Sequence, residues 1–287
     1  MDQNPHLQLS EQQKSEFLAF AHDLAETAAS CTLPLFRQPL DIKNKLESGF
    51  DPVTKADREA EAAIRQMIET RFPNHGIIGE EFGIKQGNTG AADGDFTWVL
   101  DPVDGTRAFI SGLPTWGTLI ALVKNDRAVL GLMDQPFTGE RYAALAGEPA
   151  ALNVNTKDRR LESVLQVRPC RDIAQATIAT TSPHYFDNTP AAPIWAELQQ
   201  QARLIGYGGD CYNYAQIATG QIDAVIEQGL KAYDILALIP IIEQAGGVCT
   251  DWRGNPVTLS GQAHQILACG DRDLHTALLE KLAPAAD

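Results

Sequence analysis

The chain has 287 residues, 44% hydrophobic and 21% charged, which excludes disordered and fibrous classes and predicts one large α/β domain or two fused subdomains. Acidic residues outnumber basic ones, 37 against 23. The resulting formal charge of -14 argues against nucleic acid as a partner, because its phosphates would be repelled.

Ser10 and Gln13 form a capping-box pattern ahead of Phe17, Leu18, Ala21, Leu24, Ala25 and Ala28, a spacing that predicts a first amphipathic helix. Gly49-Phe50-Asp51-Pro52 reads as a turn-rich loop, and Thr54 caps a second helix that buries Ala60, Ile64, Met67 and Ile68 and ends near Arg71 and Pro73. Strands follow at Ile77–Ile78, Phe96–Leu100, Thr118–Val123, Ala128–Met133 and Arg141–Leu145, with turns at Lys124-Asn125-Asp126 and Thr138-Gly139-Glu140, so this sheet is expected to be largely antiparallel. The stretch from Gly83 to Gly94 reads as a mobile loop. From about Ala176 strands alternate with helices: a strand to Thr180, helices over Ala192–Ala202 and Cys211–Thr219, a strand at Ile222–Ile226, a helix over Ile235–Gln244, a strand at Ile266–Cys269 and a last helix over Asp273–Leu282. Two subdomains are expected, 1–168 with a largely antiparallel sheet and 169–287 with alternating strands and helices.

Five cysteines, Cys31, Cys170, Cys211, Cys249 and Cys269, include no CxxC pair and fit neither a disulfide framework nor a zinc site, so a cytoplasmic location is expected. Met1 to Ser10 has no secretory pattern and no run reaches transmembrane length, so no membrane association is expected.

Charge concentrates where apolar strands end. Trp98-Val99-Leu100 runs straight into Asp101-Pro102-Val103-Asp104-Gly105-Thr106, where Pro102 and Gly105 make a turn that swings two carboxylates toward one point. Such close carboxylates repel unless a cation lies between them, and hard oxygen ligands suit Mg2+. A helix starting after Asp104 would aim the N–H groups of Gly105 and Thr106 at phosphate oxygens. Ile77-Ile78-Gly79 leads into Glu80-Glu81, whose side chains point to opposite sides, so Glu80 is taken as a ligand and Glu81 as support. Asp57, in a helix first turn, and Asp234, at the head of the apolar run from Ile235 to Ile242, are candidates that capping alone also explains.

Gly79-Glu80-Glu81, Asp101 to Thr106, and Tyr233-Asp234 leading to Glu243-Gln244-Ala245-Gly246-Gly247 together resemble the inositol monophosphatase family of Mg2+-dependent, Li+-sensitive phosphatases over nearly the whole chain. The resemblance implies a layered αβαβα sandwich with the site where the subdomains meet, and a homodimer. It implies two or three Mg2+ ions on Glu80, Asp101, the Val103 carbonyl, Asp104 and Asp234. Asp57 and Thr106 would orient the nucleophilic water, and Glu227 would contact the substrate. Tyr233 departs from the family's usual Trp, a change expected to be tolerated. The run from Arg107 to Ile120, Gly208-Gly209-Asp210-Cys211-Tyr212, and Glu227 to Asp234 look like the histidinol-phosphatase branch. Asp210 and Glu227 could pair with the amine and imidazole of histidinol phosphate, although Asp210 as a helix cap before Cys211 is the ordinary explanation.

These residues predict hydrolysis of a small phosphorylated metabolite by activated water, without a phosphoenzyme. The catalytic set is Glu80, Asp57, Thr106 and Asp104; Asp104, Gly105, Thr106, Asp210, Glu227 and Asp234 meet the substrate. Inositol 1-phosphate or broad sugar and nucleotide phosphates are the alternatives, and a silent phospho-ligand or metal sensor is the reading from another class. No GxxxxGK[ST], HExxH or GxSxG run supports a different mechanism, Cys211 reads as a buried thiol, and the six histidines show no ligand spacing.

Overall fold

The computed structural model describes residues 9–39, 43–44, 52–261 and 264–286. Most of the Met1 to Ser10 stretch and of the Gly49 to Pro52 loop lies outside the described residues. Helix α1 (Glu11–Thr32) opens with a true capping box, Gln13 N–H to Ser10 Oγ at 3.2 Å and Ser10 N–H to Gln13 Oε1 at 3.0 Å. A short antiparallel pair, β1 (Lys43–Asn44) and β2 (Pro52–Val53), precedes α2 (Lys55–Arg71), capped by Thr54.

Strands β3 (Gly76–Gly79), β4 (Gly83–Lys85) and β5 (Phe96–Asp104), the short helix α3 (Thr106–Ser111), then β6 (Gly117–Lys124), β7 (Arg127–Gln135), β8 (Glu140–Leu145), β9 (Ala151–Asn155) and β10 (Arg160–Val164) complete the first half. Their eight-stranded sheet has the order β10-β9-β8-β7-β6-β5-β3-β4, antiparallel except where β3 runs parallel to β5. Both faces of its centre are covered, which is why these strands read as unbroken apolar runs. In β6, Ile120 and Leu122 face α1 and α2, while Leu119, Ala121 and Val123 face the other way.

The second half contains β11 (Thr177–Thr180), α4 (Ala192–Gln201), β12 (Leu204–Tyr207), α5 (Asp210–Ala218), β13 (Ala224–Gln228), α6 (Ala232–Ile235), α7 (Leu238–Gln244), β14 (Val248–Asp251), β15 (Gln265–Cys269) and α8 (Arg272–Leu282). Five strands pair in the order β12-β11-β13-β15-β14, with β12, β11 and β13 parallel. Helices α5 and α7 fill the space between the two sheets, and α4 and α8 cover the outer face of the smaller one. The layers therefore run helix, sheet, helix, sheet, helix, the expected αβαβα sandwich.

Several expectations need correction. The helix expected over Ile235–Gln244 is two helices, because Pro240 lacks an N–H and its ring opposes the carbonyl of the preceding turn. Gly83 to Gly94 is not a free loop. Residues 83–85 pair with β3, and Asn88 N–H donates to the Asn74 carbonyl at 2.8 Å. A Cβ on Gly94 would stand 1.7 Å from the Asn88 carbonyl oxygen, so the segment folds tightly on itself. Strands β9, β10, β12 and β14 also lie outside the expected set; β9 alternates over Leu152-Asn153-Val154-Asn155, whereas β10, β12 and β14 lack the alternation that marks a strand. β10 and β12 are edge strands with mostly exposed side chains. The turn between β6 and β7 is built on Asn125 and Asp126 at φ 48° and 70°, the left-handed pair that a tight hairpin demands.

Candidate active site

A bulge builds the centre of the site. β5 and β6 pair Asp101 with Leu119 and Asp104 with Gly117, so β5 takes three steps where β6 takes two. Residues three apart on a regular strand face opposite ways; the extra residue resets the alternation and lets Asp101 and Asp104 face together. The bulge is pinned from behind. Thr118 Oγ1 donates to the Pro102 carbonyl at 2.8 Å, Val103 N–H donates to Asp101 Oδ1 at 3.1 Å, and Val103 is buried against Ala56, Phe109 and Trp116. Gly105 then turns the chain at φ 82°, where the Asp210 carboxyl packs so closely that a Cβ would stand 3.0 Å from it.

Asp234 arrives from the other half. It is the third residue of α6, not its cap: its Oδ2 accepts the Lys231 N–H at 2.7 Å. Carboxylate oxygens of Asp101, Asp104 and Asp234 all lie within 4.8 Å of one another. Glu80 follows β3, its N–H donating to the Leu100 carbonyl at 3.3 Å, and its carboxylate stands near enough to Asp101 for its charge to raise that acid's pKa. Tyr233 packs, half-buried, against the central helical layer.

Such crowding shows in the acidities. Burial first, then the charges of Glu80, Asp104 and Asp234, pushes Asp101 well above the usual carboxylate range. Burial and the charges of Asp210 and Asp234 do the same to Asp104. Asp234 is pushed up to about 7 by burial and by Glu80 and Glu227, against the pull of the Lys231 N–H. An all-oxygen, like-charged, buried donor set of this kind is what a hard divalent cation needs, and a bound cation would return these acids to their ionised forms.

Beside this cluster, Asp57 accepts the N–H and hydroxyl of Thr54 on Oδ2 at 2.9 and 2.5 Å, while its Oδ1 stands 3.3 Å from the Thr106 hydroxyl. That hydroxyl is also 3.2 Å from the Val103 carbonyl, so its one proton has two acceptors. Burial raises the pKa of Asp57, and the Thr54 bonds oppose it.

A cavity of about 250 Å3 opens from the acidic cluster and is lined by Asp104, Tyr185, Asp210, Glu227 and Asp234 among others. Glu227 is buried on β13. Asp210 does not cap α5 as expected; Gly209 holds that place at φ 108°, and Asp210 itself sits at φ 45°, a left-handed conformation uncommon for a non-glycine residue. Burial and the Glu227 charge push Asp210 up to about 7, with Arg107 pulling it back.

The sequence reading missed Glu61. Buried on α2, it accepts the N–H groups of Glu81 and Phe82 at 2.7 and 3.1 Å and pairs with Arg65 at 2.7 Å, fixing the turn that carries Glu80. Its signal was present: an acid on the same helical face as Asp57, Ile64 and Ile68. Tyr185 and Arg107, which reach the cavity or its acids, carried no comparable signal.

The sequence model of the inositol monophosphatase family matches residues 13–286. The chloroplastic bifunctional phosphatase IMPL2 of Arabidopsis thaliana is 38% identical over 281 residues, covering 96% of this chain and 77% of that protein. The histidinol-phosphatase of Chlorobaculum parvum is 35% identical over 246 residues, covering 85% and 89%. The solved structure of an inositol monophosphatase from Zymomonas mobilis superposes with a TM-score of 0.79 at 39% identity, covering 93% of this chain and 98% of that one. With this fold, this acidic cluster and a match over nearly its full length, the chain belongs to the inositol monophosphatase family of phosphoric monoester hydrolases.

Proposed function

We propose that the chain hydrolyses histidinol phosphate with Mg2+, the metal on which its family in general depends. The observation that carries this reading is the pair Asp210 and Glu227, two acids in the cavity beyond those of the metal cluster. An ammonium or imidazolium on the leaving group would satisfy them with charge as well as hydrogen bonds. The name borne by the 35% identical Chlorobaculum relative agrees.

Glu80, Asp101, the Val103 carbonyl, Asp104 and Asp234 would hold two or three ions. Bound there, Mg2+ supplies Lewis-acid chemistry, neutralising phosphoryl charge and acidifying water. Thr106, with its hydroxyl shared between Asp57 and the Val103 carbonyl, orients the attacking water, and Asp57 takes up the proton through it. The N–H groups of Gly105 and Thr106 meet the phosphoryl oxygens, and Asp210 and Glu227 hold the departing alcohol. Arg168 marks the passage between two subdomains, after the last strand of the larger sheet and before the first of the smaller. A cytoplasmic homodimer is the form in which we place the enzyme; its five cysteines are all free, and Leu33, Leu113 and Phe137 leave apolar surface exposed.

Inositol 1-phosphate is the second reading, favoured by the 39% identity to the Zymomonas enzyme. Phosphate release from histidinol phosphate, inositol 1-phosphate, fructose 1,6-bisphosphate and an adenosine bisphosphate, each with Mg2+, tests both. A preference of roughly two orders of magnitude in kcat/KM for histidinol phosphate, about 2.7 kcal/mol, is expected; a comparable preference for inositol 1-phosphate would sink the first reading.

A further inference from the structure

Both oxygens of the buried Glu227 carboxyl are engaged. Oε1 accepts the Thr181 N–H at 2.7 Å, and Oε2 is 2.9 Å from the Tyr214 hydroxyl. Tyr214 lies on α5 one turn beyond Asp210, which turns both residues toward the cavity. It is 2% exposed, and among the described residues its hydroxyl has no second hydrogen-bond partner.

The hydrogens decide what Glu227 can be. A peptide N–H only donates, so Oε1 is an acceptor. A buried phenol that received a proton from Glu227 would leave its own hydrogen without a partner, so it must donate, and Oε2 is an acceptor as well. These two bonds favour the ionised form of Glu227, which faces the cavity with acceptor lone pairs alone. Without the phenol, Oε2 is free to carry a proton, and a neutral carboxyl both donates and accepts, which suits a plain hydroxyl as well as an ammonium. Burial, the largest influence, raises the Glu227 pKa on balance, and the Thr181 and Tyr214 bonds are what hold it back.

We propose that Tyr214 is a positioning residue for specificity: by donating to Glu227 it keeps that side chain an acceptor-only anion and so selects phosphate monoesters whose leaving group carries a cationic nitrogen. This rests on reading the cavity as the leaving-group pocket.

The test uses the full chain with saturating Mg2+ and two esters that differ only in a nitrogen, aminoethyl phosphate and ethyl phosphate. Separate kcat and KM values are measured for the wild type, Tyr214→Phe, Glu227→Gln and the double variant, each checked by thermal melting. Tyr214→Phe keeps the ring and its packing. It is expected to lower the preference for the amine ester by at least about tenfold, chiefly through KM, and to cause no further loss of preference when added to Glu227→Gln. An unchanged preference, an equal loss on both esters, or a full additional loss in the double variant would overturn the role of Tyr214 while leaving the reading of the cavity standing. A wild type that shows no preference for the amine ester would overturn the cavity reading itself, and the proposal with it.

Discussion

Asp104 Oδ2 accepts the backbone N–H of Cys211 at 2.7 Å across a separation of 107 residues. The carboxylate that ends β5 thus closes the first turn of α5, whose own cap, Gly209, has no side chain to do so. One side chain serves both the acidic cluster and the joint between a sheet and the helices behind it.

That double role separates two substitutions. Asp104→Asn keeps an oxygen for Cys211 but loses the charge, so turnover should fall by at least about 10²-fold without a loss of melting temperature. Asp104→Ala loses both, and the missing cap should cost about 1 kcal/mol, or about 2–4 °C in Tm. Phosphate release and thermal melts on both variants check this; near-normal turnover in Asp104→Asn would remove Asp104 from the metal cluster.

The crowded acids predict how stability depends on pH. Asp210 and Asp234 are raised to about 7, mainly by burial, whereas in the unfolded chain such groups ionise near 4. Acids raised on folding stabilise the native state below the unfolded value, and that contribution disappears as pH climbs to the folded one. Metal-free protein should therefore lose Tm between about pH 4 and pH 7. Mg2+ at a hundredfold excess over its Kd adds about 2.7 kcal/mol, and the gain should be larger at about pH 8 than at about pH 5. Calorimetry with and without chelator measures it, and an equal gain at both pH values would contradict the cluster as the binding site.

Gly79 is a test of the Glu61 brace. A Cβ there would stand 2.0 Å from Glu61 Oε1, so Gly79→Ala must push Glu61 off the N–H groups of Glu81 and Phe82. The half-saturating Mg2+ concentration should rise about tenfold, as expected when a group that orients a ligand is displaced. Metal titration of activity reads this directly, and an unchanged titration would show that the turn holds Glu80 without Glu61.

Thr106 has one proton and two acceptors, Asp57 and the Val103 carbonyl. Thr106→Val removes the proton and keeps the shape, so kcat should fall by about 10²-fold or more while KM stays within about threefold; Thr106→Ser should restore most of the loss. A serine variant as slow as the valine one would point to the methyl group's packing instead.

The central strands and capped helices were legible because both leave local marks: Ser10 with Gln13, Thr54 with Asp57, and the continuous apolar run into Asp101. The acids were legible because charge at the end of a buried strand is costly without a partner. What stayed hidden was set by distant contacts. Nothing near Glu61 in sequence announces that its carboxylate will meet Glu81 and Phe82, and nothing near Tyr214 announces Glu227. The exposed edge strand β10 has a mixed pattern, since only its backbone is needed for pairing with β9. The capping alternative for Asp210 fails although Asp so often caps helices, because here two glycines carry the chain to a helix whose first turn is closed by Asp104.

The layer of α5 and α7 is shared property: Met133 and Tyr142 press on it from one sheet, Val225 and Ile266 from the other, and Gly131 admits the Ala237 carbonyl where a methyl group would stand 2.0 Å away. A fragment ending at Arg168 would leave an oily plane bare to water and should aggregate when made alone. Produced together, the two pieces should find each other and recover activity, with each serving as the missing wall of its counterpart.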